Sequence, residues 1–252
     1  MNTALVRLPP RSIEHCELTN VSREPIKYTK LVEQHACYRR VLQECNYTVI
    51  TMPADESLPD SVFVEDTALV LPEAAVLFPL GIDSRQGETV LIRPELEKYR
   101  EVFEIRSPAK IEGGDVLQIG KRLFVGLSTR TNEAGVSYLR ELSEPLGYQI
   151  SAVSVANALH LKTAVTAVDN ETVILNPEWV DRTAFESFEI LTVGSNEPFA
   201  ANALRLENKT VVHDGFKRTN EKLREAGADL IEIDISEFLK AEAGLTCLSL
   251  LF

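Results

Sequence analysis

The sequence predicts an α/β fold of five repeated units, arranged as a five-bladed α/β propeller. Two observations support this prediction. Helical patterns alternate with short apolar runs and strand pairs, and units of about 50 residues account for the whole length of 252 residues. Each unit would be one supersecondary element that packs on its neighbours. An open α/β sheet is the alternative, because the same alternation of strands and helices occurs in that architecture.

Five segments have apolar residues at the spacing of an amphipathic helix. The clearest one places Leu31, His35 and Tyr38 on one face. The five predicted helices are Tyr28–Glu44, Glu88–Arg100, Thr131–Leu146, Pro177–Phe188 and Phe216–Ala226. An apolar run follows each helix and predicts a strand, at Tyr47–Met52, Val102–Ile105, Gln149–Val153, Phe188–Val193 and Leu230–Ile233.

A hairpin of two strands around a turn follows each of these runs and completes a ββαβ-type repeat. The four clearest hairpins are Asp66–Leu71 with Ala75–Phe78, Asp115–Ile119 with Leu123–Gly126, Lys162–Val168 with Thr172–Leu175, and Asn202–Leu206 with Thr210–His213. The fifth would join Leu245–Phe252 at the C-terminus to Thr3–Leu8 at the N-terminus. This pairing of N- and C-terminal strands would close the ring, with helices outside and hairpins around the axis.

Length and composition agree with a single α/β propeller domain over residues 1–252. Apolar residues make up 44% of the chain and charged residues 25%, which is ordinary globular usage. A body of this size buries roughly 70–75% of its unfolded surface, so it needs neither a disulfide nor a metal ion for stability. No linker or change of composition divides the chain, and the glycine motifs of nucleotide-binding folds are absent.

The net charge of −12 excludes one class of partner and favours another. A chain this acidic is poorly suited to grip a nucleic-acid backbone, whereas it would attract cationic small molecules. No segment has the ~20 apolar residues of a membrane span, and the N-terminus lacks the apolar stretch of a signal peptide. The cysteines, at positions 16, 37, 45 and 247, have neither C-x-x-C nor zinc-finger spacing. We therefore expect a cytoplasmic protein with reduced thiols and no metal site.

The residues that open the five units would converge at one end of the axis. They are Asp66, Glu112, His160, Asn202 and Cys247, at intervals of 46, 48, 42 and 45 residues. A thiol, an imidazole and several carboxylates in one place suit nucleophilic attack on a cationic carbon. The carboxylates would hold a guanidinium, the thiolate would attack its central carbon, and the imidazole would protonate the departing amine.

Each of these residues also has a purely structural interpretation. Cys247 would then be a small core residue, and His160 a hydrogen-bonded core or edge histidine. The glycines of Glu112–Asp115 would make only a bulge or a turn. The adjacent acids Glu65 and Asp66 are harder to explain in this way, because acids amid apolar residues are costly to bury unless they meet a cation.

Six segments, in order along essentially the whole chain, resemble the dimethylarginine dimethylaminohydrolases of the guanidine-modifying, or pentein, superfamily. They are Leu58–Asp66, Glu112–Leu117, Gly126–Asn132, Leu159–Thr163, Ala200–Asn202 and Gly244–Ser249. The resemblance implies a five-bladed propeller, in agreement with the repeat found from the residues alone. It also implies hydrolysis of dimethyl- or monomethylarginine to L-citrulline and a methylamine through a covalent cysteine adduct, without a cofactor.

The resemblance implies a role for each matching residue. Cys247 would be the nucleophile, His160 the general acid and base, and Glu112 the residue that orients the imidazole. The substrate-binding residues would be Glu65 and Asp66 for the guanidinium, Arg85 and Arg130 for the carboxylate, and Asp60 with main-chain carbonyls near Leu18 and Ala241 for the ammonium. Without this context, the two arginines would be interpreted as solvated surface charges. One departure is Glu242, where the family usually has Asp.

Two other functions remain open from the sequence. The same site could act as a deiminase on free arginine or another guanidine or ureido amino acid, and the propeller could be a non-catalytic binding module. The expected partner is a small molecule, methylated arginine, and exposed helix or hairpin faces would also allow a homodimer. The polar segment Cys16–Arg23 lies near the Leu18 contact and could form a mobile lid.

Overall fold

The strands form five small sheets of identical topology. The computed structural model describes residues 2–194 and 196–252, and each sheet there contains three strands. In every sheet the central strand pairs antiparallel with one neighbour and parallel with the other. The strands therefore belong to five equivalent units rather than to one open sheet, which confirms the α/β class and the five-fold repeat.

The five units follow one another along the chain. Unit 1 contains β1 (Thr3–Arg7), α1 (Tyr28–Glu44), β2 (Thr48–Met52) and, from the C-terminus, β15 (Leu250–Leu251). Unit 2 contains β3 (Ala68–Val70), β4 (Ala74–Leu77), α2 (Gly87–Leu96) and β5 (Glu101–Glu104). Unit 3 contains β6 (Val116–Ile119), β7 (Arg122–Leu127), α3 (Glu133–Ser143) and β8 (Gln149–Ser154). Unit 4 contains α4 (Leu161–Ala164), β9 (Val165–Ala167), β10 (Thr172–Leu175) and β11 (Glu189–Thr192). Unit 5 contains β12 (Leu204–Leu206), β13 (Lys209–His213), α5 (Lys217–Glu225), β14 (Leu230–Ile233) and α6 (Ser236–Leu239).

The predicted helices are confirmed in four units, although α2, α3 and α5 are shorter than expected. In α1, the predicted face of Leu31, His35 and Tyr38 is buried. The start of α3 is fixed by Asn132, whose side chain accepts a hydrogen bond from the backbone amide of Gly135. These helices fill the crossover between the central strand and its parallel neighbour, which a tight turn cannot span.

The predicted helix Pro177–Phe188 is wrong, because only a short 3-10 turn forms, at Arg182–Phe185. The carboxylate of Asp181 caps this turn by accepting a hydrogen bond from the backbone amide of Thr183 at 2.9 Å, so the helical backbone begins only at Arg182. Val180 forms an isolated antiparallel bridge with Val155, which interrupts the predicted helix at this position. Local polar bonds and one tertiary contact therefore outweigh the apolar spacing.

In each unit, a short helical turn comes just before the first strand of the hairpin. The sequence predicted that the strand would start in this turn or directly beside it. These five segments, called here the opening turns, are Val64–Thr67, Gly113–Asp115, Leu161–Ala164, Pro198–Ala201 and Thr246–Leu248. The predicted strand starts were therefore too early by one to five residues. The difference matters because the candidate functional residues lie in or beside these turns.

Buried apolar residues form five clusters, and each cluster joins two neighbouring units. Representative pairs are Leu5 with Val70 for units 1 and 2, Leu71 with Val125 for units 2 and 3, Phe124 with Val173 for units 3 and 4, Ile174 with Val212 for units 4 and 5, and Val211 with Val6 for units 5 and 1. Burial of apolar surface between units is therefore the main force that holds each unit to the next.

The two ends of the chain meet in unit 1. β1 pairs antiparallel with β15, and Thr3 and Phe252 exchange backbone hydrogen bonds. This is the pairing that the sequence predicted for the fifth hairpin, although β15 is much shorter than the predicted strand. Within the described ranges, no helix combines the length and apolar character that a membrane crossing requires.

Removal of the Tyr38 hydroxyl should lower the stability of unit 1. Tyr38 is buried in α1, and its hydroxyl lies 2.7 Å from the hydroxyl of Ser249, next to β15. Loss of this buried hydrogen bond in Tyr38→Phe should lower the free energy of unfolding by about 1–2 kcal/mol, measured by urea denaturation. The control Tyr138→Phe changes an exposed side chain of α3 and should leave the midpoint unchanged. Equal midpoints for both variants would contradict this role.

Candidate active site

The opening turns bring side chains from all five units together. The turn before β3 contacts the turns before β6 and β15, and α4 contacts the turns before β6 and β12. Asn202, which follows the turn before β12, donates a hydrogen bond to the Thr246 hydroxyl at 3.1 Å. Residues that are far apart in the sequence therefore meet at one point, as the spacing of the repeat predicted.

A small cavity lies beside these turns. Seven of the ten predicted site residues line it, namely Asp60, Asp66, Arg85, Arg130, His160, Ala241 and Cys247. Five further residues that the sequence did not assign to the site also line it: Glu17, Phe63, Leu159, Glu242 and Ala243. The remaining three predicted residues, Glu112, Glu65 and Leu18, lie outside its wall.

His160 lies at the start of α4, deeply buried and surrounded by carboxylates. Its Nε2 is 2.7 Å from Glu112 Oε2, and its Nδ1 is 3.9 Å from Asp66 Oδ1. Burial lowers the pKa of the imidazole, but the charges of Asp66, Glu112 and Asp115 outweigh it and raise the pKa to about 9. The imidazole is therefore positively charged at neutral pH.

Glu112 is fully buried behind His160 and supports the imidazole from outside the cavity wall. Its other oxygen, Oε1, accepts a hydrogen bond from the Gly81 amide at 2.8 Å and lies 3.5 Å from Arg130 Nη1. Burial raises the pKa of Glu112, but the hydrogen bond and charge of His160 lower it by more. The pKa of Glu112 is therefore below its ordinary value. A charged carboxylate therefore fixes the orientation of the ring.

The two glycines after Glu112 allow the opening turns to approach one another. A Cβ atom on Gly113 would lie 1.9 Å from the carbonyl oxygen of Glu65, and one on Gly114 would lie 2.5 Å from Nδ1 of His160. The Gly114 amide also donates to Asp66 Oδ1 at 2.9 Å. These glycines are therefore required by close packing at the site, which goes beyond the turn or bulge that the sequence alone suggested.

Arg85 lines the cavity, but two buried carboxylates hold its guanidinium. Nη1 lies 2.9 Å from Asp66 Oδ2, while Nε and Nη2 bind Glu88 at 3.0 and 2.9 Å. Burial raises the pKa of Asp66, but His160 and Arg85 outweigh it and lower the pKa to about 2. Glu88 was not predicted, since an acid in an amphipathic helix is usually a surface residue. Burial raises its pKa to about 7 despite the neighbouring Arg85.

Two other predicted residues contact the N-terminal segment that covers the cavity. Both oxygens of Asp60 accept from the Glu17 amide at 3.2 Å. Arg130 Nη2 donates to the Thr19 hydroxyl at 3.1 Å. Leu18 lies between these two contacts and packs against the apolar cluster of units 5 and 1, so its side chain is not part of the cavity wall.

Cys247 lies in the turn before β15, with a partly exposed side chain that lines the cavity. Its Sγ accepts a hydrogen bond from the Gly244 amide at 3.4 Å. Burial raises the pKa of the thiol, and the charges of Glu65 and Asp66 raise it further. The sulfur therefore faces the same cavity as His160, and it carries its proton at neutral pH.

Glu65 lies outside the cavity wall and links unit 2 to units 4 and 1. One oxygen forms an ion pair with Lys162, and the other accepts from the Thr246 hydroxyl at 2.7 Å. Asn202 completes this network, because its amide nitrogen donates to the carbonyl of Lys162 at 2.9 Å. The sequence predicted Glu65 but missed its partner Lys162. Lys162 lies in the segment Leu159–Thr163, but nothing in that segment indicates that its side chain pairs with Glu65.

Asp66, Glu112 and His160 offer ligand atoms within 4.8 Å of one another, which is a spacing that a metal ion can use. Arg85 already supplies positive charge to the same group, at 2.9 Å from Asp66 and 3.8 Å from Glu112. The negative charges of Asp66 and Glu112 are therefore balanced by positively charged side chains of the protein itself.

Comparison with known proteins identifies relatives of this chain. The family model described as Arginine deiminase matches residues 44–200. The N(G),N(G)-dimethylarginine dimethylaminohydrolase of Pseudomonas aeruginosa is 34% identical over 250 residues, and the match covers 98% of both chains. The protein of the same name from Streptomyces coelicolor is 34% identical over 247 residues, with 98% of this chain and 95% of that one covered.

The fold is also similar to a solved structure, a cysteine-to-serine variant of the Pseudomonas aeruginosa dimethylarginine dimethylaminohydrolase complexed with citrulline. The TM-score is 0.95 at 33% identity, and the match covers 99% of this chain and 98% of that one. These matches confirm the resemblance that the six sequence segments indicated. The chain belongs to the dimethylarginine dimethylaminohydrolase family of the pentein superfamily.

Proposed function

We propose that the protein hydrolyses N-omega-methylated L-arginine to L-citrulline and a methylamine through a covalent adduct at Cys247. The observation that carries this proposal is the meeting of a thiol, a charged imidazole and the buried carboxylates of Asp60 and Asp66 in one small cavity. The names of the two relatives and the citrulline complex support the choice of substrate.

In this proposal the acids of the cavity select a cation. Asp66 remains charged because its pKa is lowered to about 2, so it can accept hydrogen bonds from a guanidinium. Asp60 would take the ammonium with the main-chain carbonyls near Leu18 and Ala241, while Arg85 and Arg130 would take the carboxylate. Glu65 would act from outside the cavity wall, where its charge adds to that of Asp66.

In the first step, the thiol of Cys247 loses its proton to solvent once the cationic substrate is bound, and its sulfur forms a bond to the central carbon of the guanidinium. The bond between that carbon and the methylated nitrogen then breaks, and the departing amine takes a proton from His160. The products of this step are a free amine, a neutral imidazole and a thiouronium adduct. A pKa near 9 keeps His160 protonated and ready to supply that proton.

In the second step, water attacks the same carbon while the neutral imidazole takes a proton from it. The carbon–oxygen bond forms, the carbon–sulfur bond breaks and the second proton of the water passes to the sulfur. Citrulline is released, and the Cys247 thiol and the charged imidazole are restored. Glu112 would hold the ring in place throughout, because its hydrogen bond to Nε2 persists in both charge states. One water molecule is consumed for each methylarginine hydrolysed, and no cofactor is required.

We further infer that the five units form a closed five-bladed propeller, as one domain over residues 1–252. The apolar cluster between units 5 and 1 supports this inference, as do the hydrogen bonds between Asn202 and Thr246. The pairing of β1 with β15 supports it as well. The cytoplasmic location and the homodimer remain predictions from the sequence.

The alternative function, deimination of free arginine, is favoured by one observation, the description of the matching family model. Release of citrulline from asymmetric dimethylarginine, monomethylarginine and arginine, measured side by side, separates the two reactions. We expect kcat/KM for a methylated substrate to exceed that for arginine at least tenfold. Equal or faster turnover of arginine would overturn the proposed specificity, and no turnover of any of the three would overturn the proposed reaction.

Replacement of the proposed nucleophile should abolish citrulline release without loss of the fold. In Cys247→Ser, the hydroxyl is far less nucleophilic than a thiolate, so turnover should fall by at least 10³-fold. The matched control is Cys37→Ser, since Cys37 is another partly exposed free cysteine, located in α1 away from the cavity. An active Cys247→Ser protein, or a Cys37→Ser protein that is inactive but folded, would contradict the assignment.

The raised pKa of Cys247 predicts how its alkylation depends on pH. In the free protein the thiolate fraction is small, so the rate of iodoacetamide labelling at Cys247 should rise about tenfold per pH unit from pH 7 to 9. Labelling is followed by peptide mass spectrometry, which separates Cys247 from the other three cysteines. A rate that levels off below pH 8 would instead indicate a thiolate that exists before substrate arrives.

A further inference from the structure

The N-terminal segment 17–20 lies over the cavity and is held there by three side chains of the cavity wall, in addition to Ser84, whose hydroxyl donates to the Glu17 carboxylate at 2.7 Å. Asp60 accepts from the Glu17 amide, and Arg130 donates to the Thr19 hydroxyl. The third side chain is Glu242, from the loop after α6. It accepts from both the Thr19 and Asn20 amides, at 2.6 and 3.0 Å.

The contact of Glu242 with this segment is the most extensive of the three. Besides the two backbone amides, its carboxylate accepts from the side-chain amide of Asn20 at 2.9 Å. The Glu242 side chain is itself 8% exposed and lines the cavity next to Ala241 and Ala243. Charged hydrogen bonds to successive backbone amides fix a loop more firmly than contacts between mobile side chains.

The backbone of Glu242 has an unusual conformation. Its φ is 56°, in the left-handed region that non-glycine residues with long side chains rarely adopt. Such a conformation persists where the surrounding structure requires it, and it is concentrated at functional sites. Here it occurs where the chain passes from Ala241 to Ala243, both of which line the cavity.

Binding of the amino-acid end of a substrate would compete with two of the three contacts. Asp60 is the proposed partner of the ammonium and Arg130 of the carboxylate, so each would exchange a contact with segment 17–20 for a contact with substrate. Glu242 has no such role. Its three hydrogen bonds can therefore persist while the cavity is occupied.

We propose that Glu242 is a positioning residue that keeps segment 17–20 over the cavity while Asp60 and Arg130 bind the substrate. The hydrogen bonds of Glu242 are independent of the proposed function, but their effect on substrate affinity rests on it. The contact also brings the Leu18 carbonyl, which lies between the bonded residues Glu17 and Thr19, into a fixed position. Its loss should therefore weaken substrate binding more than it slows the chemical step.

Two variants of Glu242 and one matched control test this proposal. Glu242→Asn tolerates the left-handed backbone but is too short to reach both amides, whereas Glu242→Gln keeps the length and one acceptor oxygen. The control is Glu237→Asn. Glu237 is equally buried and accepts from the Lys27 amide at 2.8 Å, so it joins the same two parts of the chain outside the cavity.

The first measurement needs no substrate. Hydrogen–deuterium exchange at the amides of Thr19 and Asn20 should accelerate at least tenfold in Glu242→Asn and less in Glu242→Gln. In Glu237→Asn, exchange should accelerate at the Lys27 amide and remain unchanged at Thr19 and Asn20. Unchanged exchange at Thr19 and Asn20 in Glu242→Asn would overturn the proposed contact, whatever the activity of the protein.

The second measurement is the kinetics of citrulline release from dimethylarginine. KM should rise about tenfold or more in Glu242→Asn, with kcat changed less than threefold, and the Glu242→Gln value should be intermediate. Glu237→Asn should have the KM of the unmodified protein. An unchanged KM in Glu242→Asn would overturn the positioning role. Failure of the unmodified protein to release citrulline would overturn the proposed function, while the exchange measurement would still test the contact.

Discussion

The architecture of the site depends on one constraint, the burial of several charges at the meeting point of three units. Asp66 and Glu112 are almost completely removed from water, and each would be costly there without a cation. His160 and Arg85 supply the positive charge, at 2.7 Å from Glu112 and 2.9 Å from Asp66. Because Glu112 belongs to unit 3 and His160 to unit 4, their pairing also fixes how those two units pack.

This arrangement makes the reactivity of the thiol conditional. The acids that hold the imidazole in its charged form also disfavour a thiolate, so Cys247 and His160 both carry protons in the empty cavity. A guanidinium beside Asp66 would add positive charge next to the sulfur and reverse that effect. Under the proposed mechanism, the same negative field would attract the cation and would delay formation of the thiolate until the cation is present.

Most of the fold could be predicted because the helices, strands and turns of each repeat are specified by the local spacing of apolar and turn residues. The spacing of apolar residues located α1 to its exact ends, and the pattern of acids, imidazole and thiol located the meeting point of the units. What the sequence could not predict depends on tertiary contacts. The bridge of Val180 with Val155 replaced a predicted helix, Glu88 became the buried partner of Arg85, and Glu242 became part of the cavity wall. For acids in polar segments, the local sequence does not distinguish a buried carboxylate from a solvated one.

The five opening turns show how one repeated element can take different chemical roles. The turn of unit 2 contains Asp66, and the turns of units 3 and 4 directly follow Glu112 and His160. The turn of unit 1 supplies the thiol of Cys247. Unit 5 contributes the neutral amide of Asn202, which donates to the Lys162 carbonyl and accepts from the Thr246 amide. A charged side chain at that point would lie beside the Glu65–Lys162 pair and disturb its balance. An uncharged residue that both donates and accepts can join units 4 and 1 without adding charge. Asn202 therefore holds the turn that carries Cys247 in place, and the electrostatic field at the sulfur is set by the nearby carboxylates.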